Sequence, residues 1–229
     1  MKTIGIIGGI SWVSSLDYYR IINEQINDRL KGLNAGKIIL YSVNYSEIKE
    51  LTDQDLWADI SAMIQDAARK LEAAGADCLI IGANTMHRIA PEVQQAVNIP
   101  LIHIADATAS SIKSQQINKV ALLGTKFTME LDFFKSKLLA AGIETIIPDL
   151  ADRDYIHAAI YNEMGKGLFL PETKAILLNI MSEMQSRGAA GIILGCTEIP
   201  MVITQKDFPL PLFNTTLLHA NAAVEFALS

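Results

Sequence analysis

A cysteine ends one aliphatic run of this chain, and a second, similar run has no thiol at the matching place. The two stretches are LIIGANTMH, residues 79–87, and IILGCTEIP, residues 192–200. The small residue after the glycine is Ala83 in the first stretch and Cys196 in the second. Such runs indicate buried parallel strands that stop at the carboxyl edge of a sheet, where ligands bind. Cys196 is therefore a candidate base or nucleophile, because a thiolate can be either.

Polar residues suited to holding a carboxylate follow both positions, together with the backbone N–H groups of expected helix starts. These residues are Asn84, Thr85, Thr197 and Glu198. We expect such donors to lower the pKa of the Cys196 thiol. Two reaction classes stay open, proton transfer at a carbon acid and acyl transfer by a Cys–His pair. The plainer interpretation is that a small residue only lets the chain turn and that the cysteine is buried packing.

Short aliphatic runs alternate with amphipathic segments, which predicts an α/β fold of mostly parallel sheets flanked by helices. The predicted strands are TIGIIGG, KIILYSV, DCLIIGA, PLIHIAD, KVALLGT, IETIIPD, GIILGCT and PLFNTT. The segment WADISAMIQDAARKLEAAGA has helical spacing and runs into Gly75 as a stop. Landmarks recur in the same order and at nearly the same distance along the chain, as an internal repeat does. They pair Gly8 with Gly124, Gly82 with Gly195, and Pro100 with Pro211.

The repeat predicts two similar domains related by a pseudo-two-fold axis. We expect the first domain to span residues 1–105 and the second residues 106–214, with a C-terminal helix, 215–229, that returns to the first. The strand ends would then line a cleft between the domains. Residues 83 and 196 would face one small ligand from opposite sides.

Composition narrows the class of partner. Half of the 229 residues are apolar, 19% are charged and the net charge is −6, which disfavours nucleic acid and anionic membranes. No segment is long and apolar enough to span a bilayer. The two cysteines, Cys78 and Cys196, do not form a disulfide framework, so we expect a cytoplasmic protein in which Cys78 is core packing. No cluster has metal-ligand spacing, and GIIGGIS misses the dinucleotide-loop pattern.

The motifs ANTMH and GCTEIP, with GGISW and GTKFTME, resemble the aspartate/glutamate racemase family, specifically its aspartate racemase-like branch. The resemblance covers essentially the whole chain. Glutamate racemases proper are less similar, because they carry an Asp–Ser pair where this chain has Ile10 and Ser11. They also have a histidine at the position of Glu198.

The resemblance implies an isomerase, a pyridoxal-phosphate-independent amino-acid racemase that needs no cofactor and no metal. In the family, one cysteine removes the α-proton and a second returns a proton on the other face. The second cysteine matches Cys196 and would serve the L-enantiomer, whereas the first falls on Ala83, whose methyl group carries no proton. The implied partner is an amino-acid substrate, aspartate, glutamate or a broader set, and a homodimer stays open.

The resemblance also implies a substrate-binding set, which comprises Ser11, Thr52, Asn84, Thr85, Thr125, Lys166, Thr197 and Glu198. Thr125 and Thr197 match donors to the α-carboxylate. Lys166 is either a basic residue for the side-chain carboxylate or a solvated surface lysine. Some aspartate racemases bind the distal carboxylate of the substrate with an arginine, which this chain lacks at the matching stretch. Thr52 is the nearest polar residue there, so the resemblance does not assure an acidic substrate.

Ala83 leaves three interpretations open. The chain is a substituted racemase in which one base was replaced and whose activity is reduced, one-sided or absent, a natural one-base isomerase or decarboxylase of the same superfamily, or an amino-acid or small-acid binding protein without turnover. His87, four residues later, is expected to cap or pack rather than to react. His103, His157 and His219 carry weaker signals.

Overall fold

The structure is a computed structural model of all 229 residues, and it shows two parallel sheets flanked by helices. The predicted α/β class is confirmed. The chain divides into two compact units, Met1–Ile104 with His219–Ser229, and Ala105–Leu218. No helix has the length and apolar character that crossing a membrane requires.

The first unit holds a three-stranded sheet of order β2-β1-β3. Its elements are β1 (Ile4–Gly8), α1 (Trp12–Leu30), β2 (Ile38–Ser42), α2 (Tyr45–Asp53), α3 (Trp57–Ala73), β3 (Cys78–Ile81), a 3₁₀ helix (Thr85–Ile89) and α4 (Ala90–Gln95). Helix α3 confirms the helical spacing, because its apolar residues recur on the buried face. Gly75 then takes a φ of +94°, a conformation that glycine adopts without strain.

The stretch PLIHIAD does not form the predicted strand. Leu101 makes a single parallel bridge with Leu79, and a helix begins at Ile104. The N–H of Leu79 donates to the Pro100 carbonyl and the N–H of Ile102 to the Leu79 carbonyl, both over 2.9 Å. The stretch thus lies beside β3, but pairing ends after one residue because the chain turns into the helix.

The end of the chain packs into the core of the first unit. Four small or β-branched residues of the last helix belong to the same buried cluster as the first strand and α1, namely Ala220, Ala223, Val224 and Ala227. The Lys2 N–H donates to the Ala227 carbonyl over 2.9 Å. His219, in the same helix, lies 2.7 Å from the Ile102 carbonyl oxygen through its Nε2. Both chain termini therefore belong to one unit.

The second unit holds a four-stranded sheet of order β5-β4-β6-β7. Its elements are α5 (Ile104–Ser114), β4 (Lys119–Gly124), α6 (Lys126–Glu130), α7 (Asp132–Ala140), β5 (Glu144–Ile146), α8 (Leu150–Asn162), a 3₁₀ helix (Met164–Lys166), α9 (Pro171–Ser186), β6 (Ile192–Gly195), α10 (Ile199–Val202), β7 (Leu212–Asn214) and the start of α11 (Thr215–Leu228). In both sheets the first strand of the unit lies between the second and the third. This shared order accounts for the recurring landmark glycines, which lie at equivalent strand ends.

Candidate functional site

Residue 83 lies at the carboxyl edge of the first sheet, beside the start of α1. Ile7 and Ile81 are paired in the parallel register, and the Gly82 N–H donates to the Ile7 carbonyl over 2.9 Å. The Ser14 hydroxyl lies 3.1 Å from the Gly82 carbonyl and 2.8 Å from the Ser11 carbonyl, so the two carbonyls compete for its one proton. Ala83 follows with only 8% of its surface exposed. A substitution there would therefore place its side chain in a confined position at a strand end.

The predicted binding residues of the first unit have different surroundings. Asn84 and Thr85 are buried directly after Ala83, where the 3₁₀ helix begins. Ser11 precedes α1, and its side chain does not cap that helix. The buried Thr52 hydroxyl donates to the Ile48 carbonyl of its own helix over 2.6 Å. A substrate carboxylate would have to compete with that carbonyl for the hydroxyl proton of Thr52.

In the second unit, Thr125 and Cys196 follow adjacent strands. Gly124 and Gly195 are register partners, so the residues after them leave the sheet at the same edge. The Thr125 side chain caps α6 by accepting from the Thr128 N–H over 3.3 Å. This cap fixes Thr125 at the strand end, one residue before the helix.

The Cys196 thiol donates to the carboxylate of Glu198, with 2.6 Å between Sγ and Oε2. The Thr197 hydroxyl donates to the same oxygen over 2.7 Å. Cys196 is 7% exposed, whereas Thr197 and Glu198 are half-buried. Three consecutive predicted site residues thus form one hydrogen-bonded group at the end of β6.

The pKa of the Cys196 thiol is shifted in the opposite direction from the one expected. Burial raises the pKa of Cys196 well above its ordinary value, and the Glu198 carboxylate raises it further. Backbone N–H groups of Thr197 and Glu198 lower the pKa, as anticipated, but they are the smaller influences. The expectation of a lowered pKa is wrong, because it counted helix donors and neither the burial nor the carboxylate. Cys196 is therefore a neutral thiol that donates a hydrogen bond.

Comparison with known proteins identifies a family. A model described as Asp/Glu/hydantoin racemase matches residues 7–223. The chain belongs to this family.

Similar proteins agree with the family model. A crystal structure of a Yersinia pestis protein assigned as an Asp/Glu racemase is 41% identical over all of both chains, with a TM-score of 0.94. An aspartate racemase homologue from Pyrococcus horikoshii is 33% identical over all of both chains, with a TM-score of 0.88. The broad specificity amino-acid racemase RacX of Bacillus subtilis is 27% identical over 170 residues, 72% of this chain and 71% of RacX. The resemblance recognised in the motifs is thus confirmed over the whole chain.

Lys166 makes no hydrogen bond or ion pair with the group formed by Cys196, Thr197 and Glu198. It is the exposed last residue of a 3₁₀ turn whose first residue, Met164, is buried, and Gly167 follows in the left-handed region with a φ of +79°. No ion pair holds its amino group. A substrate role for Lys166 therefore stays a prediction. Cys78, by contrast, is fully buried inside β3, and burial raises its pKa to about 12, which confirms core packing.

The second unit has two other polar features. A shallow depression of about 920 Å³ opens at the opposite edge of the sheet, where Lys119 is paired with Glu144 over 2.9 Å. Three carboxylates that could hold a cation belong to Asp149, Asp152 and Glu183, two of them exposed. Exposed acidic groups are common without an ion, so neither feature extends the site.

Sequence reasoning missed how the histidines are arranged. His87, His103 and His219 are all buried in the first unit and their rings are in contact. In the second unit, His157 Nδ1 accepts from the Lys126 N–H over 3.2 Å, next to Thr125. No spacing signal could have grouped the first three, because His219 lies far along the chain from the other two.

Proposed function

We propose that this chain transfers protons at the α-carbon of an amino acid with Cys196 as the acid/base group and without a cofactor. Family membership and the similarity to amino-acid racemases support the reaction class. The observation that carries the proposal is the 2.6 Å contact between the Cys196 thiol and the Glu198 carboxylate at a strand end. Proton transfer needs such a thiol and a group that can take its proton.

Glu198 is proposed as the group that takes the thiol proton. The hydrogen bond is already oriented from Sγ to the carboxylate oxygen, so transfer along it yields a thiolate and a carboxylic acid. The thiolate then removes the α-proton of the substrate and becomes a thiol again. Because its pKa is raised, the thiolate is a stronger base than an ordinary one once it forms. The same raised pKa keeps the thiol protonated before the substrate binds.

The remaining predicted residues are proposed to hold the substrate. Thr125 and Thr197 would donate to the α-carboxylate, and Ser11, Asn84 and Thr85 would complete the site from the first unit. Thr52 and Lys166 are the candidates for contact with the substrate side chain. Similarity to the aspartate racemase homologue of Pyrococcus horikoshii supports aspartate as the substrate. Similarity to the broad specificity amino-acid racemase of Bacillus subtilis supports a broader set of amino acids.

Ala83 makes the proposed activity one-sided. The sequence repeat and the resemblance support the proposal that residues 83 and 196 serve the same substrate. A methyl group neither accepts nor donates a proton, so only the Cys196 side of the α-carbon would be served. We therefore propose exchange of the α-proton with little or no inversion.

Amino-acid binding without turnover is the second candidate. It is favoured by the methyl group at Ala83 and by the raised pKa of Cys196, since a thiol that stays protonated removes no proton. A one-base isomerase or decarboxylase of the superfamily is the remaining variant.

Solvent exchange separates these candidates. A panel of L-amino acids is incubated in D₂O with the chain and with Cys196→Ser, and α-deuterium is followed by NMR. Exchange that needs Cys196 supports proton transfer. Saturable binding by calorimetry with no exchange, at long times and at high pH, supports the binding protein. Exchange that is equal in Cys196→Ser would refute the assignment of the base.

A further inference from the structure

Three histidines and one tyrosine of the first unit form a single buried cluster. The His87 ring lies 4.6 Å from that of His103 and 5.3 Å from that of His219, measured between centroids. Tyr18 packs on His219 at 5.6 Å. All four side chains are buried, and His87 and His219 are 0% exposed. Each ring of the cluster thus packs against at least one of the others.

The hydrogen bonds of His219 fix its tautomer. The Ile102 carbonyl can only accept, so His219 Nε2 carries the proton of that 2.7 Å bond. His219 Nδ1 must then accept from the Tyr18 hydroxyl over 2.8 Å. Both nitrogens of His219 are thus used within the first unit.

His87 has the other tautomer. Its Nδ1 lies 2.9 Å from the carbonyl oxygen of Ala83, which can only accept, so Nδ1 carries the proton. The opposite nitrogen, Nε2, is buried and has no hydrogen-bond partner. Burial and the neighbouring imidazoles of His103 and His219 lower the pKa of His87 well below its ordinary value. The ring is a neutral donor and is a poor candidate for a base.

The donor of His87 completes the hydrogen bonding of the turn that carries residue 83. The Gly82 carbonyl competes with the Ser11 carbonyl for the Ser14 hydroxyl proton, and the Asn84 carbonyl accepts from the backbone N–H of His87 over 3.1 Å. Ala83 lies between them, and its carbonyl accepts from the His87 ring. Two successive peptide planes, those of the Ala83 and Asn84 carbonyls, are therefore held by His87. The direction of the Cβ atom at residue 83 depends on the first of these planes.

The matching turn of the second unit lacks a histidine that could donate to the carbonyl of residue 196. Pro200 stands four residues after Cys196, as His87 stands four residues after Ala83. A proline side chain has no donor, so it cannot hold the carbonyl of residue 196. The hydrogen bond from a side chain four residues later is therefore present at residue 83 and absent at residue 196, so it is not part of the repeat.

We infer that His87 is a positioning residue for residue 83, holding the carbonyl of that residue so that its side chain points in one fixed direction. This inference rests on the proposed function, because it takes residue 83 as the position of the second acid/base group. It assigns His87 a role through the backbone and no proton transfer of its own. Misplacing a reacting group by about 1 Å can cost on the order of 10²-fold in rate.

The test uses the full chain with Ala83→Cys, in which residue 83 carries a thiol. His87→Asn keeps an N–H donor near the position of Nδ1, whereas His87→Leu keeps bulk and removes the donor. We expect Ala83→Cys with His87→Leu to lose about 10- to 100-fold in kcat with KM changed less than threefold. The pair with His87→Asn should keep most of the activity. Thermal unfolding of each variant shows whether it is folded at the assay temperature.

Equal kcat in the His87→Leu and His87→Asn pairs would overturn the inference and leave the proposed function standing. If a folded Ala83→Cys shows no racemisation at all, residue 83 is not the position of a second acid/base group, while proton exchange by Cys196 stands or falls on its own test, and a second readout still tests His87. In the unaltered chain at pH 8, ¹⁵N NMR of labelled histidine should show His87 protonated at Nδ1 and bare at Nε2. A neutral ring with its proton on Nε2 and none on Nδ1 would overturn the inference independently of activity.

Discussion

The thiol of Cys196 and the carboxylate of Glu198 are hydrogen-bonded over 2.6 Å, with the thiol as the donor. The two residues are separated by Thr197 alone, so the local backbone at the end of β6 brings them together. Burial raises the pKa of Cys196 most and the Glu198 carboxylate raises it further, so the thiol is less acidic and its thiolate more basic than those of an isolated cysteine. Its behaviour towards alkylating agents and substrates follows from that relationship.

Replacing Glu198 with glutamine should make the thiol easier to ionise. The amide carries no charge, so one of the causes that raise the pKa of Cys196 is removed. At pH 8 we expect Glu198→Gln to be alkylated by iodoacetamide about tenfold faster than the unaltered chain. Peptide mapping should assign the label to Cys196, and Cys196→Ser should abolish it. Slower or unchanged alkylation in Glu198→Gln would contradict the electrostatic role of the carboxylate.

Restoring a proton carrier at residue 83 should raise racemisation. A missing general acid or base costs about 10²- to 10⁴-fold, and Ala83→Cys should recover a gain in that range. Ala83→Thr should gain less, because a hydroxyl is a weaker acid than a thiol. Chiral chromatography of aspartate and glutamate measures the rate. A folded Ala83→Cys that gains nothing would mean that the two-base scheme does not apply to this chain.

The two enantiomers should differ in exchange. By resemblance Cys196 serves the L-enantiomer, so L-aspartate or L-glutamate should gain α-deuterium in D₂O and stay L. The D-enantiomer should bind and keep its proton. Proton NMR of both enantiomers follows the loss of the α-signal. Deuterium that enters the D-enantiomer faster would show that the faces are assigned the wrong way round.

Acid should destabilise the first unit through His219. Burial lowers the pKa of His219 to about 4, while in the unfolded chain it returns to about 6.5. Between these values only the unfolded chain binds the proton, so the stabilising contribution is complete above pH 6.5 and is lost as the pH falls towards 4. The loss should be on the order of 3 kcal/mol in the free energy of unfolding.

Urea titrations from pH 7 to pH 4 measure this loss. His219→Gln is the matched control, because its amide can still donate to the Ile102 carbonyl and does not titrate. Its unfolding free energy should fall less steeply over the same pH range. Identical slopes for both chains would assign the acid sensitivity to other groups.

The positions of the strand ends could be predicted from the sequence, whereas the direction of the pKa shift of Cys196 could not. Buried parallel strands are continuous aliphatic runs, so the glycines at 82 and 195 marked where they stop. The pKa of Cys196 depends on how deeply the thiol is buried and on which way the Glu198 side chain turns. Neither is encoded in spacing. The stretch PLIHIAD shows the same limit, because its composition does not reveal that pairing ends after Leu101.

The histidine cluster marks the other limit of sequence reasoning. Tyr18 and His219 are hydrogen-bonded although they lie 201 residues apart along the chain. Each histidine taken alone gave a weak signal, and only the folded first unit brings them together. The predicted domain limits, 1–105 with 215–229 and 106–214, stay a prediction, as do a homodimer and a cytoplasmic location. Limited proteolysis would test the limits.

Both termini of the chain lie in the first unit, where the N–H of Lys2 donates to the carbonyl of Ala227. Along the polypeptide, the second unit is therefore inserted between two segments of the first. His219 contacts the Ile102 carbonyl, so the points where the inserted segment leaves and re-enters the first unit are neighbours. Such a layout suits circular permutation, because a short linker can join residues 1 and 229 while new ends are opened elsewhere.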